Sequence, residues 1–83
     1  MMPKLYVVDL QEFLPVVDAC RKSGYSVDGP TKGYWRVQAD HEITLVRKVC
    51  GLGPALWNTS LAGGIRGKLV EFNRDRLVIR EAA

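Results

Sequence analysis

The chain has 83 residues, room for one domain (1–83) with a thin core, and 47% of them are apolar. A quarter are charged, with 12 Lys and Arg against 9 Asp and Glu, a net of +3; this excludes a disordered chain and a polybasic nucleic-acid tail. Cys20 and Cys50 belong to no CxxC pair, which excludes a disulfide-stapled scaffold and reads as two core thiols of a reduced, cytoplasmic protein.

"KLYVVDL" opens the fold. Tyr6, Val7 and Val8 favour a strand, and the unbroken apolar run predicts one covered on both faces. Asp9 offers a helix N-cap, with Glu12 as its capping-box partner. Leu10, Phe13, Leu14, Val17 and Cys20 recur at helical spacing and form one apolar stripe. Pro15 interrupts it, at a cost of about 3 kcal/mol if it lies well inside a helix. The reading that avoids this cost is a short opening turn followed by a helix over 14–23. Arg21 and Lys22 suit the last turn, where the dipole favours cations, and Gly24 stops it.

"SVDGPTKGY" reads as a loop, from Asp28-Gly29-Pro30 and Gly33. "YWRVQA" then alternates, with Trp35, Val37 and Ala39 on one face and Tyr34, Arg36 and Gln38 on the other, as a half-buried strand does. "ADHE" turns the chain and "EITLVRKV" returns, so 33–49 is predicted to be a β-hairpin. Pro54 fits a first helical position. A short helix carrying Ala55, Leu56, Thr59 and Leu61 is expected to end at Gly63-Gly64. Two strands, 68–72 and 76–81, flank the polar turn Asn73-Arg74-Asp75 as a second hairpin.

The elements add up to an α+β domain of two layers. A mostly antiparallel sheet of about five strands is expected, with one long and one short helix. The first six elements follow the βαββαβ order of ferredoxin-like domains, with one strand added at the C-terminus. That likeness is one of topology and implies no function.

No motif carries a chemistry outright. "GGIRGK" fails the P-loop pattern twice, because Ala62 stands at its first glycine and Leu69 at its hydroxyl. "GLGPAL" at 51–56 lacks the third glycine of a dinucleotide fingerprint. The plain reading of Gly63 and Gly64 is a chain reversal that needs positive φ; the sharper one is an anion nest in which glycine N–H groups work with Arg66 or Lys68. Asp40-His41-Glu42 holds the only histidine and reads as a polar turn, and no metal or cofactor is called for. Cys50, near Arg47 and Lys48, with His41 across the predicted hairpin, is weighed as a nucleophile and read as a core thiol. Trp35 is assigned to the core. Trp57 is placed to one side of its helix, where its ring lines a pocket or a subunit interface.

No run approaches a membrane span, and "LYVV" between Lys4 and Asp9 is too short for a signal peptide. The basic excess lies in residues 42–83, with seven Lys and Arg against four Asp and Glu. With no convergent catalytic set, the first reading is a non-enzymatic accessory or interaction protein, self-associating as a C2 dimer through an edge strand or an uncovered sheet face. The second is a metal-free pocket protein or small enzyme for an anionic or aromatic molecule held near Trp57, Gly63, Gly64, Arg66 and Lys68. The third is weak RNA or DNA binding by Tyr34, Arg36, Arg74, Arg76 and Arg80, although the "K/R-G-F/Y-G/A-F-V-x-F/Y" signature is absent.

Overall fold

The structure, a computed structural model, describes residues 2–82. It is an α+β fold of two antiparallel sheets, one of four strands and one of three, with three helices. Strand β1 (Lys4–Val8) alternates: Leu5 and Val7 are buried, and Lys4, Tyr6 and Val8 are half-buried on the opposite side. Only one of its faces is covered, against the expectation of two, because the helix packs on the Leu5 and Val7 side alone.

A 3-10 turn (Gln11–Phe13) leads into α1 (Leu14–Lys22), with Pro15 in the first turn, where its missing N–H costs little. The capping box does not form. Asp9 instead accepts a hydrogen bond from Trp35 Nε1 at 3.2 Å, and no side chain caps either helix start. Starting at Leu14 turns Phe13, Val16, Val17, Ala19 and Cys20 inward and leaves Leu10 and Leu14 exposed, so the apolar stripe is rotated from the one read in the sequence.

The loop expected at 26–33 is mostly strand. β2 (Ser26–Thr31) pairs antiparallel with β3 (Tyr34–Gln38) across Lys32 and Gly33. Both turn residues have positive φ, 53° and 86°, the condition for a two-residue type I′ hairpin. Gly29 and Pro30 disguise this strand in the sequence. They are tolerated because β2 is an edge, and the register shifts between Asp28 and Thr31.

The hairpin predicted over 33–49 does not form. Both sides of β3 are taken, by β2 and by β1, so β4 (Glu42–Val46) has no place beside it. Residues 39–41 carry the chain into the second sheet, where β4 pairs with β7 (Arg76–Arg80). Residues 47–49, expected to end that strand, belong to α2 (Arg47–Cys50), which Gly51 stops at φ 69°. Helix α3 (Pro54–Asn58) starts on Pro54 as expected but ends five residues short of Gly63.

Strand β5 (Ile65–Arg66) adds two residues beside β1. At Gly67 (φ 119°) the chain turns out of the first sheet; a Cβ there would sit 2.5 Å from the Arg80 carbonyl oxygen. β6 (Lys68–Phe72) then forms the expected hairpin with β7. Asn73 Oδ1 holds its turn by accepting the N–H groups of Asp75 and Arg76, each at 2.9 Å. Sheet A therefore runs β2-β3-β1-β5 and sheet B runs β4-β7-β6. In place of about five strands in one sheet there are seven in two.

One core joins the sheets: Leu5, Val7 and Val37 from sheet A, Ile43, Leu77 and Ile79 from sheet B, and Val16, Val17, Cys20 and Trp57 from the helices. Burying each of the aliphatic side chains contributes about 1.5–3 kcal/mol.

Candidate functional site

The outward positions of sheet A form one surface. Pairing places Lys4 between Gln38 and Arg66, sets Tyr6 opposite Arg36, and sets Val8 opposite Tyr34. Because successive residues of a strand alternate faces, Lys4, Tyr6, Tyr34, Arg36 and Arg66 all lie on the side away from the core. Tyr34 is 41% exposed, and Arg36 and Arg66 are exposed. Lys32, on the hairpin tip, completes a cleft of about 330 Å³ with Tyr6, Thr31, Tyr34 and Arg36.

The charge of this surface is one-sided. Among the outward strand positions the only carboxylate is Asp28, which meets Arg36 Nη2 at 3.0 Å. Lys4, Lys32 and Arg66 make no ion pair among the described residues. Trp35 lies on the inward side of β3. Its ring is covered by the Arg21 guanidinium, 5.3 Å from its centroid, and its N–H is held by Asp9.

The five residues singled out in the sequence do not converge. Trp57 is fully buried; its Nε1–H donates to the Asn73 carbonyl at 2.6 Å, and its ring lies 6.0 Å from that of Phe72. It is a core anchor beneath sheet B, and its ring is wholly covered. Gly63 lies hard against β1, where a Cβ would collide with the Tyr6 carbonyl and press on the Tyr34 ring. Gly64 (φ 93°) spends its N–H on Leu61 and its carbonyl on the Tyr6 N–H. These are the needs of a chain reversal beside a strand. Arg66 joins the open face of sheet A, while Lys68, beyond Gly67, stands opposite Arg80 in sheet B.

The cysteines are both free and buried. Burial, with Cys50 beside it, pushes the Cys20 thiol up to about 12, and burial raises Cys50 as well. The groups proposed to activate Cys50 are elsewhere. Arg47 donates to the carbonyls of Arg74 (2.7 Å) and Leu52 (3.1 Å), and His41, no longer across a hairpin, meets Glu81 at 3.3 Å. A second cleft, about 500 Å³, runs past Ser23, Tyr25, Asp40, His41 and Glu42. Its Tyr25 hydroxyl is committed to β4, accepting the Thr44 N–H at 3.0 Å and donating to the Thr44 carbonyl at 3.3 Å. No group of three or more His, Cys, Asp or Glu is placed to hold a metal among the described residues, and no helix there is long and apolar enough to cross a membrane.

Sheet B offers a different surface. Its outer strand β6 exposes Leu69 (42%), Val70 (44%) and Phe72 (36%) beside a ladder paired on one side only. Sequence reasoning named Tyr34 and Arg36 but missed Lys4, Tyr6 and Lys32. The signal was present: Lys4 and Tyr6 share a face at period two, and Lys32-Gly33 has the length of a hairpin turn. Compared with protein-family models and with curated proteins, the chain has no match.

Proposed function

We propose that the protein is a non-enzymatic interaction protein that self-associates through β6. The observation that carries this is the pairing state of the two edges of sheet B. The β4 edge is occupied at Thr44 by the Tyr25 hydroxyl, whereas β6 presents Leu69, Val70 and Phe72 at an edge with no further strand paired to it among the described residues. An exposed apolar edge strand is a template for another strand. A small domain with a thin core gains from such pairing.

The chemistry of β6 favours a second copy of itself. In an antiparallel pair about a two-fold axis between Leu69 and Val70, Lys68 stands opposite Glu71 of the partner subunit. That supplies a carboxylate to Lys68, which makes no ion pair among the described residues and faces Arg80 across the ladder. The bulge at Val70 interrupts the ladder locally, but what it turns outward is apolar rather than charged. Sedimentation velocity at micromolar concentrations tests this. The wild type is expected as a dimer and Val70→Lys as a folded monomer. A monomeric wild type, or a dimer untouched by Val70→Lys, overturns the reading.

Two finer readings accompany it. A cytoplasmic setting is supported by two free, buried thiols. A ferredoxin-like relationship is supported within sheet A, where β1, α1 and β2 form a split β-α-β unit with β3 inserted between the strands, and β5 takes the outer place beside β1.

A further inference from the structure

We infer that the open face of sheet A is a binding site for single-stranded nucleic acid. Three observations meet there. Tyr6 and Tyr34 stand on neighbouring strands, with Tyr34 two residues from Arg36, the residue directly opposite Tyr6. Such diagonal neighbours lie about 7–8 Å apart, a distance one extended nucleotide bridges. Lys4, Lys32 and Arg66 surround the two rings and make no ion pair among the described residues. Four cations against the single carboxylate Asp28 leave this one face with a surplus of three, equal to the net charge of the entire chain.

That combination has a specific complement. Single strands are held by aromatic rings on which bases stack and by cations that track the phosphates. An acidic peptide would satisfy the cations but has no flat group for the rings. Duplex DNA satisfies the cations and keeps its bases stacked on each other, out of reach. The hairpin tip adds a further sign. Lys32 sits at positive φ (53°), where asparagine or glycine is the less strained choice, and its side chain lines the same cleft as both tyrosines. The surface is separate from β6, so occupying it does not depend on self-association.

Fluorescence anisotropy with a short fluorescein-labelled oligouridylate, and with its deoxythymidylate counterpart, tests the proposal on the whole chain. Binding is expected at low salt. With three unpaired cations and a slope near −0.7 per phosphate contact, it should weaken about 20-fold between 50 and 200 mM salt. Tyr34→Leu is expected to weaken it about tenfold or more, and Tyr34→Phe to restore it, since stacking needs the ring and not the hydroxyl. Lys4→Ala with Arg66→Ala should flatten the salt slope by more than one unit. Lys32→Asn should tighten the fold while weakening the oligonucleotide, a pairing of effects that mere damage does not produce. A difference between the two oligonucleotides tells RNA from DNA. No anisotropy change at high micromolar protein and low salt overturns the site. So does binding to duplex DNA or polyglutamate as tight as to the oligonucleotide, or a Tyr34→Leu variant that binds normally.

Discussion

In sheet B, Arg76 reaches Glu71 through two hydrogen bonds of 2.9 and 2.7 Å, and Arg80 reaches Glu42 at 3.2 Å. In sheet A, Lys4 and Arg66 stand opposite each other, and neither makes an ion pair among the described residues. By count, the second half of the chain is the basic one. In space, three of its seven cations, Arg47, Arg76 and Arg80, face carboxylates of the same half, and the other four, Lys48, Arg66, Lys68 and Arg74, make no ion pair among the described residues. Of these four only Arg66 lies on the open face of sheet A, where it stands beside Lys4 of the balanced half. Position in the sequence therefore does not tell which cations share a face; strand pairing decides that.

The apolar surface is divided in the opposite sense. The edges of sheet A are guarded, β2 by Gly29, Pro30 and a register shift, β5 by being two residues long. Sheet B pairs Arg76 and Arg80 with carboxylates, leaves Lys68 without an ion pair among the described residues, and exposes an apolar edge. The two sheets thus differ, one with an open charged face and guarded edges, the other with two arginines held by carboxylates and one open apolar edge.

The comparison can be broken at its base by removing what holds sheet B to the core. Trp57→Ala deletes the largest fully buried side chain and strands the Asn73 carbonyl it serves. A loss of about 3–5 kcal/mol is expected in urea unfolding, and a change below 1 kcal/mol would mean that the ring is not the anchor described. Gly67→Ala tests the corner between the sheets. A side chain at φ 119° and 2.5 Å from the Arg80 carbonyl is expected to cost about 1–3 kcal/mol, with β5 and β6 the first strands to lose hydrogen-exchange protection. The smallest effect concerns the paired charges. Arg76 holds the Glu71 carboxyl below its ordinary range, and Thr44 and Arg80 do the same for Glu42. A lowered carboxylate stabilises the fold fully above the unfolded value of about 4.3, and that contribution is lost as pH falls through the lower folded value. Glu71→Gln should therefore flatten the fall in urea midpoint below about pH 4. A fall as steep as in the wild type would mean that the Arg76 pairing does not hold the Glu71 carboxyl down.

The locally determined parts of this fold were legible. The β6–β7 hairpin follows from a polar turn whose Asn73 satisfies its own backbone, and α1 begins where Pro15 costs least. The alternation of β3 told inward from outward correctly for Trp35, Val37, Tyr34 and Arg36. What failed was pairing between distant segments. Adjacent strands separated by a short turn suggest a hairpin, yet β3 is saturated by β1 and β2, and no residue within 39–42 records that. The candidate face was half legible for a related reason. In "KLYVV" a tyrosine counts as apolar, so a strand covered on one face reads like one covered on both. Trp57 illustrates the reverse error: a short helix gave too few apolar positions to tell which side was buried.

A last consequence follows from the Tyr25 hydroxyl. A sheet with two open edges can add neighbours on both sides and grow without limit, whereas a sheet with one can only meet a copy of the same edge about a two-fold axis and stop. By serving both backbone groups of Thr44, one oxygen atom on α1's following segment occupies the middle of the β4 edge. Under the proposed β6 pairing, an atom that belongs to neither edge is what would hold the assembly to a discrete size.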